Sequence, residues 1–161
     1  MSIGMDAYAH WRAKSVRRPG EVTVTTPLLW QAEKHAEAER RLAARLLPTG
    51  ADRAGPAGPD DALAKLALGE AMRRAVLRYR PGAVYEALEL GATWHEVAAA
   101  LDSTTEEARA HLRAYAEEQH RRYEEDLMTG RNPFGLSPDR YRAALRLLEL
   151  ADDERPEPAE G

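Results

Sequence analysis

In the segments 27–47, 61–128 and 138–150 the apolar positions return every third or fourth residue, the period of an amphipathic helix. Leu28, Ala32, Leu42 and Leu46, flanked by Leu29, Ala36 and Ala43, predict a helix over 27–47. It would open at Thr26-Pro27, with Thr as the cap and Pro at the first helical position, and stop at Pro48. Leu63, Leu66, Ala67, Ala71, Val76 and Tyr79 predict a second helix over 61–79, started by Asp60-Asp61 and ended before Pro81-Gly82. Val84, Leu88 and Leu90 mark a short helix over 83–90 that Gly91 closes. Near the N-terminus, 6–16 predicts a short helix with Tyr8 and Trp11 one turn apart. EVTVTT at 21–26 alternates and is β-branched, but it has no partner strand, so it is expected as an extended arm.

The sharpest punctuation lies between Gly91 and Leu112. Thr93 with Glu96 makes a capping box before a helix over 94–101, and Asp102-Ser103 is a turn. Thr104 with Glu107 makes a second box before a long helix over 105–128 that Thr129-Gly130 ends. Val97, Ala98, Leu101, Ala108 and Leu112 face inward, with small Ala98 and Ala108 where two helices would cross steeply around a tight turn. RNPFGL is a loop, and Ser137-Pro138 opens a last helix to Leu150 with Tyr141, Ala144, Leu145 and Leu148 on one face.

These elements divide the chain into a basic arm and helix over 1–47, suited to dimerisation, and a Pro/Gly linker over 48–60. A helix-turn-helix domain over 61–128 follows, then a loop and helix over 129–151 and an acidic tail over 152–161. PTGADRAGPAGP and DDERPEPAEG are the compositions of a flexible linker and of a disordered end. Composition strengthens the helical pattern: of 161 residues 43% are hydrophobic and 31% charged, and strong helix formers dominate. The expectation is an all-α fold. The absence of cysteine excludes disulfides and thiolate chemistry and suits a reducing cytoplasm. No signal-peptide core and no apolar run of membrane-spanning length occurs, so a cytoplasmic protein without membrane contact is expected.

The stretch GATWHEVAAALDSTTEEARAHL resembles the helix-turn-helix of actinobacterial DNA-binding proteins, which is related to sigma-factor region 4. Gly91, Ala92, Thr93, Trp94, Val97, Ala98, Ala100, Leu101, Thr104 and Ala108 carry the likeness. Residues 91–150 are also similar to a group of actinobacterial proteins of no assigned function, in which a Gly-Leu-Ser/Thr-Pro helix follows. The resemblance implies a tri-helical unit and a DNA-binding transcriptional regulator. A lone recognition helix reads few bases, so a homodimer is expected, with the helix at 27–47 as its contact because the Pro/Gly linker lets it stand apart. This chain departs at Asp102, where glycine is usual, at Ser103, where an aliphatic residue is usual, and at Glu106-Glu107, where Arg, Gln or Ala is frequent.

With Ala108 and Leu112 inward, the outward positions are Thr104, Thr105, Glu106, Arg109, Ala110 and Arg113. Arg forks onto guanine, Thr meets a base or a thymine methyl, and Glu accepts from cytosine. Phosphate contacts would fall to Arg73, Arg74, Arg78 and Arg80, or to the arm Arg12 to Arg18. Charge opposes this picture. Net charge is −4 overall, but +3 over 1–47, +2 over 48–82, −7 over 83–128 and −2 over 129–161. The same outward residues also serve an acidic interaction surface for a protein partner. In that use Glu106 and Glu107 favour the helix start while Arg109 and Arg113 pair with Glu106 and Glu117.

Other chemistry has thin support. Glu117-x-x-His120 has the spacing of a di-iron ligand pair but no second copy, and His95-Glu96 lacks the second histidine of a zinc helix because Ala99 stands there. His10, His35 and His111 are isolated, and no phosphate loop or nucleophile motif appears, so neither an enzyme nor a cofactor is expected. Trp94 should pack beneath the helix-turn-helix, and Trp30 should pack in the core, or else anchor the N-terminal arm or a dimer contact. Glu124-Glu125-Asp126, at the negative end of the long helix, runs against the helix dipole.

Overall fold

The structure, a computed structural model, describes residues 3–46 and 57–157. Among these residues there are six α-helices, one 3-10 turn and no strand: α1 (Ile3–Ala13), the 3-10 turn (Pro19–Glu21), α2 (Leu28–Ala44), α3 (Pro59–Glu89), α4 (Trp94–Leu101), α5 (Thr105–Met128) and α6 (Pro138–Glu149). The fold is all-α, and among the described residues no helix is long and apolar enough to cross a membrane. The chain divides into two compact units, Met1–Leu77 and Arg78–Gly161. The division falls inside α3 and not at the Pro/Gly stretch, of which 48–56 lies outside the described residues.

Two expected helices are one. Pro81 lies inside α3, where it lacks the N–H that the Leu77 carbonyl would otherwise accept. The helix continues because Val84, Tyr85 and Leu88 beyond the proline are buried in the second unit's core. The buried stripe of its first half also differs from expectation. Ala67, Leu68, Ala71 and Ala75 are buried, whereas Leu63, Leu66, Val76 and Tyr79 are exposed. Ala67 and Ala71 are inward as expected; Ala67 and Leu68 share a buried cluster with Trp11 and Val16.

In the first unit Trp11, Val16, Ala67 and Leu68 form the core, with Tyr8, Val22, Trp30 and Ala64 packed on it. The Trp11 indole donates to the Trp30 carbonyl at 3.1 Å, and the Trp30 ring lies 5.0 Å from Tyr8. Lys34 sits 5.2 Å above the Trp11 ring and donates to the carbonyls of Arg12 and Lys14, which closes the end of α1. The expected extended arm is instead the 3-10 turn followed by a turn in which Thr26 N–H donates to the Thr23 carbonyl. Hydroxyl contacts from Thr23 to Thr25 and Thr26 favour that local closure over an unpartnered strand. On α2 the buried residues are Gln31 and Ala38, while Leu28 and Leu46 are exposed. Thr26 does not cap this helix by its side chain; its carbonyl accepts from the Gln31 amide at 3.0 Å.

The second unit closes around Trp94, Leu88 and Leu112, all fully buried, with Val84, Tyr85, Val97, Ala108, Ala116, Leu136 and Ala144. Burying each large apolar side chain contributes about 1.5–3 kcal/mol. Ala108, Ala116 and Ala144 have no accessible surface, as expected where helices approach closely. Ser137 accepts from the Arg140 N–H and Pro138 starts α6, which matches the predicted signal. The loop from α5 to α6 is tied back to α5: Leu136 N–H donates to the Gln119 carbonyl at 3.2 Å. Gly135, with φ +103°, makes that approach possible, because a Cβ there would penetrate the Gln119 carbonyl oxygen. Gly135→Ala should therefore cost at least about 2 kcal/mol in denaturant unfolding. Gly20→Ala, where a Cβ meets nothing within 4 Å, should leave the midpoint unchanged.

Candidate nucleic-acid interface

The segment that most suggests nucleic-acid binding is α4, its turn and the start of α5. Thr93 Oγ1 accepts from Glu96 N–H at 3.2 Å while Glu96 accepts from Thr93 N–H at 2.8 Å. Thr104 and Glu107 repeat the exchange at 3.1 and 2.9 Å. Both boxes are as the sequence predicts, and they spend Thr104 and Glu107 on helix starts. Between them Asp102 takes left-handed backbone (φ 50°, ψ 48°), a conformation that aspartate tolerates better than most residues. Ser103 N–H then donates to the Ala98 carbonyl at 3.0 Å and tightens the turn.

The outward residues of α5 have unequal fates. Glu106 and Arg113 are exposed. Thr105 and Arg109 are not free, because the segment after α6 passes over them. Thr105 Oγ1 donates to Asp152 Oδ2 at 2.9 Å. The Arg109 guanidinium donates to the Leu148 carbonyl (2.7 Å), the Leu150 carbonyl (2.8 Å) and Asp152 Oδ1 (2.5 Å). It also stacks 4.7 Å from the centre of the Trp94 ring, leaving its side chain 18% exposed. Arg109 thus pairs with Asp152, not with Glu106 as helical spacing suggests.

Two further contacts complete this strap. His95 N–H donates to the Asp152 carbonyl at 3.0 Å, so the strap also occupies the first turn of α4. Arg155 donates to the Gly91 carbonyl (2.8 Å) and to both carboxylate oxygens of Glu96 (3.1 and 2.8 Å). In the segment expected to be disordered from its composition, Asp152, Glu154 and Arg155 have named hydrogen-bond partners; 158–161 lie outside the described residues. Composition misjudged them because it registers low apolar content but not a waiting guanidinium, hydroxyl and backbone amide. Asp152 and the carbonyls of Leu148 and Leu150 were not among the site residues that the sequence suggests. Their partners stand 39 to 47 residues away, beyond any local pattern.

The arginines expected to meet phosphate are also differently employed. Arg73 and Arg74, in the first unit, both close on Glu70 at 2.8 Å and hold its carboxyl down to about 2. Arg17 pairs with Asp60 at 2.9 Å. Arg78, exposed, opens the second unit. From 78 to 157 there are eleven arginines against seventeen carboxylates, a net negative charge that opposes association with a polyanion.

Among the described residues no group of three or more histidine and carboxylate side chains is placed to hold a metal ion. His120 stacks on Tyr141 at 4.3 Å with its Nδ1 3.1 Å from the Leu136 carbonyl, and its nearby carboxylate is Glu124, at 3.5 Å, not Glu117. Burial and a hydrogen bond to Glu89 push the Tyr85 hydroxyl up to about 12, so it stays protonated at neutral pH. Comparison with known protein families, curated proteins and solved structures returns no match.

The strap's ion pairs set a pH window. The Arg155 guanidinium holds Glu96 down to about 2, and Arg109 with the Thr105 hydroxyl lowers Asp152. Groups depressed on folding stabilise the strap above the ordinary carboxylate range, and that contribution fades as pH falls from about 4.5 towards 2. Amide NMR signals of His95 and Thr105 should therefore move to released positions across that window. Asp152→Asn should reproduce much of the released spectrum at pH 7, whereas Arg113→Ala should leave both signals in place.

Proposed function

We propose that the protein is a non-enzymatic helical interaction module. Its α4–α5 helix-turn-helix serves protein recognition and does not read bases. The observation that carries this reading is the commitment of Arg109. It stands at the centre of the base-reading row, yet it is stacked on Trp94 and bonded to Leu148, Leu150 and Asp152. Leaving the strap would give up three hydrogen-bond partners and the Trp94 ring in exchange for the two acceptors of one guanine edge. Glu106 and the excess of carboxylates in the second unit add repulsion where phosphates would lie.

The second reading is a DNA-binding transcriptional regulator, favoured by the two capping boxes and the inward Val97, Ala98, Ala108 and Leu112. It requires the strap to leave. One experiment separates the two: binding of random-sequence genomic DNA fragments by the full chain, over a salt series starting at about 50 mM. No retention is expected for the native protein or for Asp152→Ala. Retention by the native protein with a steep salt slope that Arg113→Ala reduces would overturn the interaction-module reading. Retention gained only in Asp152→Ala would replace it with a regulator that covers its own recognition helix.

A further inference from the structure

We infer that the end of α5 and the loop after it form a docking surface for a basic, apolar-faced segment of a partner protein. This deepens the interaction-module reading and rests on it. The first observation is exposure: Phe134, the chain's single phenylalanine, is 75% exposed, with Met128 at 87% and Leu127 at 54%. Apolar side chains gathered at one end of an element and held in water signal an interaction site more often than scattered ones do.

The second observation is that the loop is held rigidly. Thr129 N–H donates to the Glu125 carbonyl and Arg131 N–H to the Asp126 carbonyl at 2.9 Å, with Gly130 left-handed at φ +68°. Asp126 then grips the loop twice, from Arg131 Nε at 3.0 Å and from the backbone N–H of Phe134 at 3.1 Å. Beyond the phenylalanine, Gly135 and buried Leu136 lock the chain onto the Gln119 carbonyl. Phe134 is therefore fixed on both sides while its ring stays outside. A preorganised aromatic anchor loses little entropy on binding.

The third observation selects the partner. Glu124, Glu125 and Asp126 stack at the negative end of a 24-residue helix whose last turn carries no basic residue. Asp126 is used by the loop, but Glu124 and Glu125 remain 63% and 53% exposed. They stand one helical turn before Leu127 and Met128. Their internal partners are His120, at 3.5 Å, and the exposed Arg121. A partner's lysine or arginine would relieve both the carboxylate crowding and the dipole. A second copy of this chain would bring the same carboxylates face to face, and nucleic acid or an anionic membrane would be repelled.

The test uses the full chain and a synthetic helical peptide of about 16 residues, with Leu and Trp on one face and Lys elsewhere, beside a counterpart with Glu for Lys. The Lys peptide should shift the amide NMR signals of Leu127, Met128 and Phe134, and Phe134→Ser should weaken its binding about tenfold. The Glu peptide should not bind. Glu124→Gln should raise the melting temperature of the free protein yet weaken the Lys peptide, a combination that a merely structural role would not produce. No shift at about 1 mM peptide, equal binding of the Glu peptide, or indifference to Phe134→Ser would each overturn the inference. Shifts confined to Thr105, Arg109 and Arg113 would also overturn this site while leaving the interaction-module reading in place. DNA retention in the salt series would sink that reading by a different readout.

Discussion

The stacking of Arg109 on Trp94 is the contact on which the second unit's arrangement turns. Trp94 is fully buried at the first position of α4, and its indole N–H donates to the Leu147 carbonyl at 2.9 Å. That bond joins α4 to α6. The guanidinium over the ring then draws in the carbonyls of Leu148 and Leu150 and the carboxylate of Asp152. One aromatic side chain thus serves as the floor of the core and as the seat of a cation. The cation in turn satisfies carbonyls at the end of α6 that would otherwise need water or a C-cap. Because several partners share one guanidinium, their contributions are coupled and should not be added as independent terms.

The electrostatics of the unit follow from the same economy of arginine. Glu96 and Glu107 face helix starts, where carboxylates are favourable, and Glu96 is further fixed by Arg155. Glu124 and Glu125 face a helix end, where they are unfavourable. The first pair is explained by the fold itself. The second pair meets His120 and Arg121 of its own helix and still leaves both carboxylates more than half exposed, which marks the end of α5 as a surface for another molecule.

Much of the architecture was legible from the residues. Both capping boxes, the bounds of α4 and α5, the Ser137-Pro138 start of α6 and the inward Val97, Ala98, Ala108 and Leu112 are local features, set by contacts three or four residues apart. Pro81 misled because the rule that proline ends a helix compares local costs only; burial of Val84, Tyr85 and Leu88 outweighs the lost hydrogen bond. The stripes of α2 and α3 misled for a related reason. Leucine periodicity shows which face could be buried, but the partners from distant segments, Trp11 and Val16 against Ala67 and Leu68, decide which face is.

The candidate site divides the same way. Sequence alone determined that α5 would begin at a capped turn, with Thr105, Arg109 and Arg113 in one outward row and glutamates beside them, since helical geometry fixes those directions within a few residues. Only the tertiary structure decided that Thr105 and Arg109 would be covered and Arg113 left open. That outcome depends on Asp152 and on two carbonyls about forty residues further along the chain. Such contacts have no period and no spacing. They exist because a long cation beside a buried indole is more stable with partners than with water, and folding brings the end of α6 within its reach.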